Sequence, residues 1–136
     1  MNIFLCASKY NYHHVGPIKT ALERKGHRVT VPNSYDNPGK EEEVRTKNPE
    51  EHRRWKADML RDQGEKVKAN DAILVLNFEK NGQPNYIGGA TFLEVFKAFE
   101  LGKKIFFYNP LPNNNFEDEL LGMGPIVLGG DIDQIA

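Results

Sequence analysis

The sequence predicts an α/β fold, a three-layer α/β/α sandwich around a parallel sheet of about five strands, and three observations predict it. The apolar runs 72–76 and 105–108 are unbroken, as expected of strands covered by helices on both faces, which have no wet side to alternate toward. The segment between them repeats apolar residues at helical spacing, so strand, helix and strand make a βαβ unit. The N-terminal third repeats the pattern, and parallel neighbours need such crossovers.

In chain order, residues 2–7 form a short apolar strand and residues 8–14 a loop. Gly16-Pro17 opens a helix, proline suiting its first turn; Ile18, Ala21 and Leu22 face inward and Gly26 ends it. Residues 27–31 are the second strand, closed by Pro32-Asn33. The polar stretch 33–48 is an exposed connection with a short helical piece at 40–45. Asn48-Pro49-Glu50-Glu51 then combines a capping Asn, a first-turn proline and an acid at the capping-box position, and starts a helix that runs to about Lys68. Its apolar side is thin; Trp55 on it either packs on the sheet, meets another subunit or covers a ligand.

After the strand at 72–76, Asn81-Gly82 signals a turn in the loop 77–89. In the following helix Phe92, Val95, Phe96 and Phe99 are expected to pack, with Lys97 and Glu100 toward water. Beyond the strand at 105–108, prolines 110 and 112 block regular structure and Asn115 is placed to cap a helix at 116–121. A last strand at 126–128 and a turn at 131–135 complete a flavodoxin-like, Rossmann-like single domain spanning 1–136, with no internal repeat.

Glu94 is the strongest candidate for chemistry. Stepping by three and four it shares a line with Thr91, Ala98 and Leu101, which are small or apolar, so its carboxylate is kept from bulk water. Ligands of open parallel sheets bind beyond the strands' carboxyl ends. There Gly88 and Gly89 permit close backbone approach, and the helix start offers free N–H groups. The same rule brings in Ser8, Lys9, Tyr10 and Tyr12 after the first strand, Asn77 and Asn109 at two further strand ends, and Tyr86 in the loop before the helix. Lys9, His13 and His14 would favour a 5′-phosphate. His13 and His14 are sequence neighbours, which rarely converge on one ion, so no metal site is expected.

The run 71–76, Gly-Gly-Ala-Thr-x-x-Glu at 88–94 and Leu-Gly-Lys at 101–103 together resemble the nucleoside 2-deoxyribosyltransferases and the related 2-deoxynucleotide N-hydrolases. The start of the helix is also similar to the Gly-Gly-x-Gly-Thr-x-x-Glu signature of the cytokinin-activating phosphoribohydrolases. The resemblance implies cleavage or transfer of an N-glycosidic bond, with Glu94 as nucleophile at the anomeric carbon and Thr91 shaping the sugar pocket. It also implies a homo-oligomer. Tyr86-Ile87-Gly88 stands where the deoxyribosyltransferase family usually carries an aspartate, and Glu79 is the nearby acid expected to replace it.

Composition limits the alternatives. A net charge of −1 offers no electrostatic case for nucleic-acid polymers or anionic membranes. No apolar run approaches the roughly 20 residues that span a bilayer, and the first residues carry no basic segment or cleavage site, so a cytoplasmic protein is expected. The single Cys6 forms no internal disulfide. The expected ligand is a nucleoside or nucleotide, and the chemistry requires no metal or redox cofactor. Two other readings keep the same fold: a non-catalytic nucleotide sensor in which Glu94 accepts a ribose hydroxyl, and a structural protein in which Glu94 only complements the helix dipole.

Overall fold

The computed structural model describes residues 1–136. β1 (Asn2–Cys6) runs into a 3-10 turn at Lys9–His14 and then α1 (Val15–Arg24), and β2 (Arg28–Thr30) follows. Next come α2 (Lys40–Lys47), α3 (Pro49–Ala69), β3 (Ala72–Val75) and α4 (Gly89–Glu100). β4 (Lys104–Phe107), α5 (Glu117–Gly122), β5 (Ile126–Val127) and a 3-10 turn at Ile132–Gln134 end the chain.

The five strands form one sheet in the order β2-β1-β3-β4-β5, every pair parallel, with helices on both faces. This is the expected flavodoxin-like α/β/α sandwich. Alternation along each strand splits the core in two. Ile3, Leu5, Ala72, Leu74 and Phe106 pack with Val15, Ile18 and Leu22 of α1. Phe4, Cys6, Ile73, Val75, Ile105 and Phe107 pack on the other face with Val67 of α3, Val95 and Ala98 of α4 and Leu120 of α5. Each fully buried Leu, Ile, Val or Phe contributes roughly 2 kcal/mol. The same alternation puts Cys6 on the α4 side of the sheet.

Helix punctuation follows the sequence closely. Asn48 accepts from Glu50 N (2.8 Å) and Glu51 N (3.4 Å) and caps α3 as expected. Gly26 ends α1 at φ +93°, a left-handed conformation suited to glycine.

Three local expectations are corrected. Residues 9–14 are a 3-10 turn rather than an open loop, held in place by Asn11, which is buried and donates to Leu76 O at 3.3 Å. No side chain caps α5, whose N-cap is Phe116 rather than Asn115; Asn114 Oδ1 accepts from Phe116 N at 3.1 Å just ahead of the helix. On α4 the buried residues are Thr91, Glu94, Val95 and Ala98, while Phe96 and Phe99 are 47% and 48% exposed. The small side chains of Thr91 and Ala98 let α4 approach its neighbours closely, and the two phenylalanines are left outside touching each other, centroids 6.4 Å apart. No helix is long and apolar enough to cross a membrane.

Candidate functional site

From β1 the chain crosses outward to β2, and from β3 it crosses the other way to β4, so the loops after β1 and β3 diverge. Open parallel sheets bind ligands at such a switch point. A cavity of about 390 Å³ lies here, walled by Ser8, Lys9, Tyr10 and Tyr12 after β1, Pro32 to Ser34 after β2, and Tyr86 with the first turns of α4. α2 and α3 close the remaining side with Glu41, Arg45, Trp55 and Met59. Gln63 Nε2 donates to Ala90 O at 2.9 Å and fastens α3 to the start of α4.

Glu94 lines this cavity and is only 6% exposed. Burial pushes its carboxyl up to about 8, against the opposing effects of a hydrogen bond with the Cys6 thiol and the positive charge of Lys66. Cys6, itself fully buried, is raised in turn by burial and by the carboxylate. Near neutral pH Glu94 therefore exchanges readily between its acid and its base form, as a group that handles charge or protons must.

Tyr12 shares the cavity. Its phenol is pushed up to about 12, by burial first and the charge of Glu94 second, so it stays protonated throughout the neutral range and remains a hydrogen-bond donor. Ser8 Oγ and Asn33 Oδ1 are buried at the wall without a protein partner, which leaves them hydrogen-bonding capacity for a polar ligand.

Of the residues singled out from sequence, Ser8, Lys9, Tyr10, Tyr12 and Tyr86 line the cavity together with Gly88, Gly89, Thr91 and Glu94. Asn77 and Asn109 do not. The Asn77 amide donates to Asn109 O (3.0 Å) and Pro110 O (2.8 Å) and accepts from Asn109 N (2.9 Å), while Asn109 Nδ2 donates to Asn77 O (3.1 Å). Beyond the last strand pairing, these two amides continue the lock between the β3 and β4 ends. Glu79 accepts from Gly82 N at 3.2 Å and lies outside the cavity. His13 and His14 also lie outside it; His14 stacks on Phe78 with centroids 3.6 Å apart.

The wall contributed by α2 and α3 has no counterpart in the sequence reading apart from Trp55. Glu41 Oε2 accepts from Arg45 (3.0 Å), His52 (3.0 Å) and Lys56 (3.3 Å). Burial raises this carboxyl, but the three partners outweigh it and hold it below its ordinary value. The only sequence signal for this wall is the density of acids at 41–43 facing bases at 52–56. Comparison with known proteins finds no family model and no curated protein that matches the chain.

Proposed function

We propose that the protein cleaves or exchanges the N-glycosidic bond of a nucleoside or nucleoside 5′-monophosphate, the deoxy form by resemblance, with Glu94 as nucleophile. The observation that carries the reading is a nearly dehydrated carboxylic acid, pKa about 8, in the wall of a polar cavity at the switch point of the sheet.

In the reaction, an ionised Glu94 oxygen bonds to the anomeric carbon as the bond from that carbon to the base nitrogen breaks. The electron pair leaves with the base, which takes a proton from solvent, and the attacking water or second base gives up its own proton in the next step. Water or a second base then attacks the anomeric carbon and releases the carboxylate, giving hydrolysis or transfer. With its carboxyl raised to about 8, Glu94 is mostly protonated at pH 7 and reacts through its ionised minority. Positive charge developing on the sugar favours that form, so the attraction strengthens toward the transition state. Tyr12, neutral and donating, is suited to the sugar or the departing base. Trp55, with His52 stacked beside it at 6.3 Å, offers a flat face to the base.

The test is base release from a panel of ribo- and deoxyribonucleosides and their 5′-monophosphates, with and without a second free base. Release that depends on Glu94 supports the reading, and the second base separates transferase from hydrolase. Binding without release would favour the nucleotide sensor. A homo-oligomer belongs to this reading, and sedimentation equilibrium checks it; a monomer at working concentration removes that part.

A further inference from the structure

Four cations reach the cavity, and three of them are already paired with carboxylates. Lys9 pairs with Glu42 at 3.1 Å, Lys56 with Glu41 at 3.3 Å, and Arg45 with both acids. Lys80 has no carboxylate partner: its ammonium lies 4.2 Å from the ring centroid of Tyr10 and 4.6 Å from that of Tyr86, with the Tyr86 hydroxyl at 3.4 Å. Aromatic faces hold a cation in position without neutralising its charge, and an ammonium so held keeps free donors.

The backbone under Lys80 is stiff. Lys80 N donates to Gln83 O at 3.0 Å and Gln83 N to Lys80 O at 2.9 Å, closing a two-residue turn over Asn81 and Gly82, whose φ angles of +49° and +81° suit a hairpin of the primed type. Glu79, the acid nearest in sequence, is occupied by Gly82 N in the same turn. Tyr86 leans against the start of α4, its hydroxyl 3.4 Å from where a side chain at Gly88 would begin. Lys80 is thereby tied, through Tyr86, to the end of the cavity where α4 begins, and Glu94 follows on the second turn of that helix. Lys80 and Glu94 line the same cavity, so one ligand can meet both.

We propose that Lys80 is the residue that recognises an anionic 5′ group, making nucleoside 5′-monophosphates rather than nucleosides the substrate class. This rests on the N-glycosidic reading of the cavity and replaces Lys9, His13 and His14 as the cations that select a phosphate. A phosphate monoester gains a charge-assisted bond from an ammonium whose charge is unspent.

Calorimetric titration of wild type, Lys80→Met and Lys80→Arg with deoxynucleosides, their 5′-monophosphates and inorganic phosphate tests it, alongside base release from each compound. The wild type is expected to bind a monophosphate at least about tenfold more tightly than its nucleoside. Lys80→Met brings the monophosphate-to-nucleoside affinity ratio to about one, and Lys80→Arg retains most of the ratio. Equal affinity for the two compounds in the wild type, or a preference that survives Lys80→Met, overturns the proposal. Binding of inorganic phosphate alone, with no gain for the monophosphate, overturns it too, as it marks a bare anion site. A Lys80-dependent preference with no base released would leave the anion site standing and sink the N-glycosidic reading; release from nucleosides with no preference would do the reverse.

Discussion

Glu94 sits at 6% exposure, with the Cys6 thiol and the Lys66 charge lowering its carboxyl, so its ionisation is opposed by burial and only partly restored by its neighbours. A side chain serving the fold alone would be replaced at that spot by an apolar residue at little cost. Glu94→Ala is expected to lower base release by at least about 10³-fold, with the circular-dichroism spectrum unchanged. The pH profile of kcat/KM follows from the same group: the nucleophile must be ionised, so the rate rises with pH through an apparent pKa near 8. A rate already level from pH 5 upward would remove Glu94 from the reacting position.

At the scale of elements, Asn77 is wholly buried and makes three bonds through its amide. Asn77→Ala orphans the Asn109 N–H and two carbonyls, and chemical denaturation is expected to show a loss of about 2–3 kcal/mol with ligand affinity nearly unchanged. A large affinity loss at full stability would return Asn77 to the site. Asn48→Ala removes the α3 cap and is expected to cost about 1 kcal/mol in the same measurement. The strands, the α3 cap and the Gly-Gly start of α4 were legible in the sequence because each depends on residues next to one another. The packed side of α4 was misread because that helix is apolar nearly all round. Hydropathy then cannot tell Phe96 and Phe99, which are exposed, from Thr91 and Ala98, which are buried. Asn77 and Asn109 stand at strand ends, which usually face ligands, and pairing between two amides 32 residues apart leaves no local signal. The same holds for Glu41, which meets its cations only once α2 folds onto α3.

For the whole molecule, a carboxyl raised from 4.5 to about 8 on folding makes the native state bind a proton that the unfolded chain has released. Stability therefore falls as pH rises through that window and levels off above it. Glu94→Gln abolishes this slope. Wild type and variant are expected to melt together near pH 4.5, with the variant increasingly more stable toward pH 8 and a constant gap beyond, as read by calorimetry across pH. Identical curves at all pH values would mean that the carboxyl is not desolvated. Such a group weakens the fold under the conditions in which it would react, as is common for sites selected for chemistry.

The most direct test of the nucleophile is to trap it. A 2′-fluoro-arabinosyl nucleoside or its 5′-monophosphate slows release of the glycosyl intermediate, because fluorine destabilises the positive charge needed to leave. Incubated with the wild type, it is expected to add one fluorosugar to the peptide that contains Glu94, by intact-mass measurement and peptide mapping, and to add nothing to Glu94→Gln. Base release from the natural substrate with no adduct on Glu94, or with the adduct on another residue, would contradict the account.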